Sequence, residues 1–172
     1  MQTFNESLRK VISDEGGYLL HTIKGDKGGE TFAGITRKNF PGAGVWGLID
    51  GGKPHDSDEV KASVADFYYK TYWQPLLCGE LLDSGTADML FSFAINMGSR
   101  TAVKRLQIAV HTKPDGVMGE VTKAAANTKA VQTRYCYALS IIGRYRDIIA
   151  ANRTQKRFIT GWLNRVLNKV GF

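Results

Sequence analysis

Apolar residues recur at helical spacing near the start of the chain. The segment between Phe4 and Ile12 places its apolar residues on one face and its charged residues on the other, as amphipathic helices do. Gly16-Gly17 then interrupts the pattern, and glycines are common just beyond a helix C-terminus. We therefore predict a first helix over residues 4–15. Its apolar face is formed by Phe4, Leu8, Val11 and Ile12.

The next segment, residues 18–36, has a different pattern. Three glycines surround Asp26, and β-favouring residues flank this glycine-rich stretch on both sides. Such a pattern predicts a small β-ribbon with a glycine-rich turn. Residues 37–57 contain two prolines and several glycines. They are predicted to be mostly loop, with Trp46 and Leu48 as anchors.

Helical periodicity dominates from residue 58 onward. The segment from Asp83 to Gly98 is apolar nearly all round, which predicts a buried helix. A long helix over residues 129–151 is expected to run through the centre of its lobe, because its middle is apolar on several faces. The tyrosines at positions 68, 69 and 72 are interpreted as core residues. The other predicted helices are one over residues 58–73, one capped by Ser99 and reaching Val110, a short one from Glu120 or Val121 to Ala126, and a last one starting at Asn152 or Thr154.

These elements predict an α+β fold that is predominantly helical, with a small β-ribbon after the first helix. At 172 residues the chain is expected to form a single domain, residues 1–172, with two lobes. Residues 1–78 would carry the first helix and the ribbon, and residues 79–172 would form a helical lobe. Cys78 and Cys136 are too few for a disulfide framework. Two buried free thiols are predicted, although a single bridge between them stays open.

The charge balance favours anionic partners. The net charge is +7 at pH 7, which favours nucleic acid, anionic lipid or an anionic cell-wall polymer. Nucleic acid is the least supported of these, because no stacking motif or concentrated basic stripe accompanies the charge. Residues 1–15 carry charges throughout and lack the apolar core of a signal peptide. No stretch has the length of a membrane span, so no stable membrane insertion is expected.

Glu15 is the strongest candidate for chemistry. A carboxylate at a helix C-terminus faces the negative end of the helix dipole, and this position and partial burial both raise a carboxyl pKa. A carboxylic acid that stays protonated in a cleft can protonate a glycosidic oxygen. The ribbon adds a second carboxylate, either Asp26 or Glu30, and glycosidic hydrolysis uses such a pair. The alternative interpretation is a solvated Glu15 in a capping turn.

Other chemistries lack their signatures in the sequence. His21, His55 and His111 share no ligand spacing with one another or with a cysteine. The sequence has no nucleophile elbow, no dinucleotide fingerprint and no phosphate-binding loop. We therefore expect no cofactor and no metal, and each histidine is interpreted as a surface residue.

Several segments, in a fixed order, resemble one known family. They are residues 14–18 (DEGGY), 26–36 (DKGGETFAGIT), 68–76, 88–98 (DMLFSFAINMG) and 106–122. The first two resemble the N-terminal signature of glycoside hydrolase family 108, the lysozyme-like N-acetylmuramidases that are common as phage endolysins and prophage products. The last resembles the peptidoglycan-binding-like segment that follows in that family, and the likeness covers nearly the whole chain.

The resemblance implies a lysozyme-like fold and hydrolysis of the β-1,4 bond between N-acetylmuramic acid and N-acetylglucosamine, with lysis of the bacterial cell. Glu15 would be the general acid, and Asp26 would stabilise the oxocarbenium-like transition state or position the water. Thr31 would hold that water, while Tyr18 and Asn96 would line the sugar groove. The expected partners are glycan strands and anionic wall polymers. The protein would be a monomer, made in the host cytoplasm and released by a holin or by lysis.

Two alternatives stay open from the sequence. A lytic transglycosylase needs only one acid/base carboxylate, so Glu15 alone would suffice for it. A non-catalytic wall-binding module would use the helical lobe and leave the wall uncut. The reaction product separates the first from a hydrolase, and binding to cell walls without clearing would indicate the second.

Overall fold

A computed structural model describes residues 4–22 and 29–171 of the chain. Within these residues the fold is mostly helical and contains a three-stranded antiparallel sheet. The described residues divide into two compact units, one within residues 4–71 and the other within residues 72–171. The predicted α+β, predominantly helical fold class is confirmed.

The first unit combines short helices with the sheet. Amphipathic spacing produces its first helix, and the apolar face predicted for that helix is buried at Leu8, Val11 and Ile12. The elements are α1 (Phe4–Asp14), β1 (Leu20–Thr22), β2 (Glu30–Phe32), β3 (Ile35–Thr36), α2 (Gly44–Asp50) and α3 (Asp58–Tyr68).

The predicted β-ribbon is present in this unit. Strand β1 pairs antiparallel with β2, so that Leu20 opposes Phe32. Strand β2 continues into β3 through a two-residue turn, Ala33-Gly34. Both turn residues have positive φ, 48° and 78°, as type I′ hairpin turns require. Phe32 and Ile35 oppose each other across this hairpin and are fully buried, so one face of the sheet belongs to the core.

The prediction that residues 37–57 are mostly loop is wrong for α2. Gly44 and Gly47 lower the helix propensity of this segment, which is why the sequence pattern does not indicate a helix. Trp46 overrides that preference: its side chain is buried, and its Nε1 donates to the carbonyl oxygen of Phe40 at 3.0 Å. Tertiary packing of an anchor therefore stabilises a helix that local propensity disfavours.

The helix predicted over residues 58–73 is present, but only its first part, α3, is α-helical. Ser57 caps it, since the Ser57 side chain accepts a hydrogen bond from the backbone N–H of Val60 at 3.4 Å. After Tyr68 the chain continues as a π-helical turn, Tyr69–Trp73, before Pro75 ends the helix. Turns of this type occur frequently at functional sites.

The second unit is helical. Its central helix is buried continuously from Thr86 to Ala94, which confirms the buried helix predicted after Asp83. Ser99, predicted as a cap, is instead the first residue of its helix, because Gly98 with φ 85° occupies the cap position. The elements are α4 (Ser84–Met97), α5 (Ser99–Ala109), α6 (Glu120–Thr128), α7 (Ala130–Ala151) and α8 (Ile159–Val170), with short 3-10 turns at Cys78–Glu80 and Arg153–Phe158.

Helix α7 spans the predicted range. It is predicted to run through the centre of its lobe, but only one of its faces is buried. Val131, Tyr135 and Leu139 follow one another at four-residue spacing and are 59%, 45% and 68% exposed. Phe158 and Leu167, two apolar residues of the C-terminal helical segment, are also exposed. A helix with apolar residues on several faces can bury only those that meet a neighbouring helix. None of the helices within residues 4–22 and 29–171 is both long and apolar enough to cross a membrane.

Both cysteines are free thiols, which confirms the prediction and excludes a bridge between them. Cys78 is buried, and burial raises the pKa of its thiol. Cys136 is only partly buried, so the prediction of two buried thiols is wrong for this residue. In the described part of the chain, no group of His, Cys, Asp and Glu side chains could hold a metal ion.

Asp83 links α4 to α7 within the helical unit. Its Oδ2 accepts the backbone N–H of Thr86 at 2.7 Å and the Nε–H of Arg134 at 2.8 Å. Burial alone would raise the pKa of Asp83, but the hydrogen bonds from Arg134 and Thr86 outweigh it and hold that pKa below its ordinary value. The carboxylate therefore stabilises the folded state in its ionised form.

Replacing Asp83 with Asn is expected to lower the free energy of unfolding at pH 7 by about 1–2 kcal/mol, because hydrogen bonds to a charged acceptor are the stronger ones. Since the folded-state pKa of Asp83 is lowered, its contribution is present above the ordinary pKa of about 3.9 and is lost as the pH falls through the folded value. Urea unfolding at neutral and at acidic pH measures this. A difference between wild type and variant that does not shrink in acid would contradict the assignment, and the exposed Asp56→Asn is the control.

Candidate active site

Glu15 lies at the C-terminal cap of α1, where the glycine pair of the sequence predicts it. The N–H of Gly17 donates to the carbonyl of Ile12 at 2.8 Å, and the N–H of Gly16 donates to that of Ser13 at 3.3 Å. Together with the φ of 87° at Gly16, these two bonds form a Schellman motif. The chain therefore leaves the helix axis immediately after Glu15.

The side chain of Glu15 is half-buried against the turn between β2 and β3. A Cβ atom on Gly34 would lie 2.9 Å from Cγ and 3.2 Å from Cβ of Glu15, so the glycine leaves the space that these carbons occupy. The hydroxyl oxygen of Tyr68 borders the same point, at 2.6 Å. That hydroxyl donates to the carbonyl oxygen of Ala33 at 2.8 Å. Glu15 thus packs between the end of its own helix and the hairpin turn.

Three polar side chains lie in a row across the sheet, on the face opposite the apolar core. His21 opposes Thr31, and Thr31 opposes Thr36, and residues that oppose each other in antiparallel strands share a face. The Nε2 atom of His21 is 3.8 Å from the position that a Cβ on Gly16 would take. His21, at one end of the row, therefore lies next to Gly16, the residue that follows Glu15. Thr31 is the middle residue of the row.

Glu30, the other candidate for the second carboxylate, is engaged in an ion pair. Neighbouring residues of a strand point to opposite faces, so Glu30 does not share the face of Thr31. Its Oε2 lies 2.6 Å from Nε of Arg37, and both terminal nitrogens of Arg37 donate to Asp50 at 2.8 Å. This network joins β2 to α2. Asp26, the predicted second catalytic carboxylate, lies outside the described residues.

The two predicted sugar contacts fall in different units. Tyr18 is half-buried, with its ring centroid 6.2 Å from that of Phe32, and burial raises the pKa of its hydroxyl. It belongs to the unit that contains the candidate acid. Asn96 belongs to the helical unit, where it is exposed near the end of α4 and donates to the carbonyl of Ser92 at 2.8 Å.

Sequence reasoning did not connect Tyr68 or Gly34 with Glu15. The interpretation of Tyr68 as a core residue is correct, since it is 1% exposed. Its hydroxyl also donates a hydrogen bond to the hairpin turn, at the carbonyl oxygen of Ala33. A tyrosine at a core position of an amphipathic helix is a usable signal, because its buried hydroxyl must find a hydrogen-bond partner. The identity of that partner, 35 residues away in the chain, follows only from the fold.

Comparison with known proteins places this site in a family. Residues 8–98, more than half of the chain, match the family described as Glycosyl hydrolase 108. Residues 96–167 match one described as Predicted Peptidoglycan domain. Among solved structures, the one titled "Structure of Brucella abortus SagA" is 28% identical, with a TM-score of 0.69 over 97% of this chain and 91% of that chain. No curated protein matches.

These matches confirm the lysozyme-like fold and the enzyme class: the protein is a glycoside hydrolase, a lysozyme-like muramidase that acts on peptidoglycan. Glu15, Tyr18 and Thr31 all lie within the stretch that matches the hydrolase family. The chain belongs to glycosyl hydrolase family 108.

Proposed function

We propose that this enzyme hydrolyses the β-1,4 bond between N-acetylmuramic acid and N-acetylglucosamine, with Glu15 as the general acid. The observation that carries the proposal is the half-buried carboxyl side chain of Glu15 at the end of α1, with its stem packed on Gly34. The match of the C-terminal residues to a peptidoglycan domain supports the substrate.

Glu15 has to carry a proton when the substrate arrives. The C-terminal end of α1 presents partial negative charge, and half-burial removes part of the water that would solvate a carboxylate. Both effects favour the neutral acid. In the first step the proton moves from Glu15 to the glycosidic oxygen while the bond between that oxygen and C1 of the muramic acid breaks.

The positive charge that develops at C1 needs a second group. Asp26 is proposed to stabilise this charge or to position the attacking water, and Thr31 is proposed to hold the water through its hydroxyl. Water then adds to C1 and gives up a proton to a carboxylate, which completes hydrolysis. The distance between the two carboxyl groups decides whether the configuration at C1 is retained, at about 5–5.5 Å, or inverted, at about 6.5–9.5 Å.

Binding is proposed to use both sugar contacts and charge. Tyr18 would pack against a sugar ring, and Asn96 would contact the glycan from the helical unit. The net charge of +7 would draw the enzyme to the anionic polymers of the wall. We further propose that the protein is a monomeric phage or prophage lysis enzyme that is made in the host cytoplasm and reaches the wall after release by a holin or by lysis.

Incubation with purified peptidoglycan tests the reaction. Each cleaved bond should release one new reducing end, and the number of free amino groups should stay constant because no peptide bond is cut. New amino groups would indicate an amidase or peptidase and contradict the proposal. Soluble fragments without new reducing ends would indicate a transglycosylase, and sedimentation with the wall without soluble fragments would indicate a binding module.

A further inference from the structure

The turn that faces Glu15 has a conformation that its sequence does not favour. Ala33 has a φ of 48°, and the left-handed region is unfavourable for a non-glycine residue. Type I′ turns usually place Asn, Asp or Gly at this position. A contact from elsewhere in the fold must therefore help to hold the turn.

Tyr68 supplies that contact. It is the last residue of α3, is 1% exposed, and donates its hydroxyl hydrogen to the carbonyl oxygen of Ala33 at 2.8 Å. A buried carbonyl that loses its hydrogen-bond partner destabilises the folded state. The bond therefore ties α3 to the first residue of the turn.

The same hydroxyl helps to enclose Glu15. The point where Gly34 would carry a Cβ lies 2.6 Å from the Tyr68 oxygen and 2.9 Å from Cγ of Glu15. No side-chain atom fits there, so the hydroxyl, the turn backbone and the stem of the acid border one small space. A shift of the turn would change the room available to the Glu15 side chain.

On this geometry, and resting on the proposed role of Glu15, we propose that Tyr68 is a positioning residue for the general acid. Its hydroxyl fixes the Ala33-Gly34 turn, and the turn confines the stem of Glu15 so that the carboxyl group stays directed at the glycosidic oxygen. Misplacement of a catalytic group by about 1 Å is enough to cost up to about 100-fold in rate. Tyr68 itself need not touch the substrate.

The test is Tyr68→Phe, which removes only the hydroxyl. We expect kcat on soluble glycan fragments to fall about tenfold or more with little change in KM, because the acid is misplaced after the substrate has bound. Tyr69→Phe is the matched control: Tyr69 is 40% exposed and packs edge-on against Phe4 at 5.2 Å. It should keep wild-type kcat and KM.

The pH profile gives a readout that a purely structural role would not move. A freer and better solvated Glu15 loses its proton at lower pH, so the alkaline limb of the profile should move to lower pH in Tyr68→Phe. Titratable groups next to Glu15 within the described residues include Asp14 on α1, His21 on β1 and Tyr68 on α3. Asp14 and His21 are unchanged in Tyr68→Phe, so they should not shift the alkaline limb of the pH profile.

Loss of stability is separated from loss of positioning by a second variant. Ala33→Gly removes the cost of the positive φ, so Tyr68→Phe/Ala33→Gly should recover stability without recovering kcat. A folded Tyr68→Phe with wild-type kcat and pH profile would overturn the inference, and so would recovery of kcat together with stability in the double variant. If Glu15→Gln itself keeps full activity, the proposed function fails instead.

Discussion

Replacing Glu15 with Gln is expected to reduce peptidoglycan cleavage by about 10³-fold, within the range of 10²–10⁴ that general acid catalysis contributes. The amide has nearly the same shape as the carboxyl group but cannot give up a proton at the pH of the assay. Because the side chain is half-buried and packs through its carbons on Gly34, the variant should fold and bind peptidoglycan as the wild type does. The loss should therefore appear in kcat.

Glu6→Gln is the matched control for this variant. It makes the same chemical change on the same helix, at an exposed position in the first turn of α1. We expect it to keep activity within about twofold and stability within about 1 kcal/mol, since a carboxylate near a helix N-terminus contributes no more than that. A Glu15→Gln enzyme that cuts as fast as Glu6→Gln would remove Glu15 from the mechanism.

Replacing Gly34 with Ala is expected to lower the free energy of unfolding by about 2–5 kcal/mol and to reduce activity more than tenfold. Two costs add here: the left-handed φ of 78° disfavours any side chain by about 1–2 kcal/mol, and overpacking costs about 1–3 kcal/mol. The new Cβ would meet the Tyr68 hydroxyl at 2.6 Å and Cγ of Glu15 at 2.9 Å. The catalytic side chain must then move.

Gly52→Ala is the control that separates the cost of the left-handed backbone conformation from the cost of overpacking. Gly52 has a similar φ of 76°, but nothing lies within 4 Å of the Cβ it would gain, so only the backbone cost of about 1–2 kcal/mol applies. Chemical denaturation and kcat should be measured for both variants. Equal loss of stability together with unchanged activity in Gly34→Ala would contradict the packing of Glu15 against the turn.

The parts of the site that depend on local chemistry could be predicted from the sequence. An amphipathic face followed by Gly16-Gly17 is enough to end α1 at Glu15, because only glycine adopts the cap conformation without cost. The alternation around Thr31 and the glycines before it are likewise enough to predict the ribbon. These signals act over a few residues, so no knowledge of the fold is needed to interpret them.

The parts that depend on tertiary packing could not be predicted. The helix anchored by Trp46 forms against its own glycine content, and the bond from Tyr68 to Ala33 joins residues far apart in the chain. Likewise, Val131 and Leu139 are apolar and exposed, since the neighbouring elements decide which face of α7 is covered. Periodicity indicates which residues could be buried, and only the packing decides which of them are.

Hydrolysis by Glu15 is tested by mass spectrometry of the fragments that wild type and Glu15→Gln release from purified peptidoglycan in ¹⁸O-water. We predict fragments that end in reducing N-acetylmuramic acid carrying one ¹⁸O from the attacking water, and their loss with the variant. Ends of the 1,6-anhydro type would contradict hydrolysis. Reducing ends at N-acetylglucosamine would contradict the proposed bond, and the same fragments at the same rate from Glu15→Gln would contradict the role of Glu15.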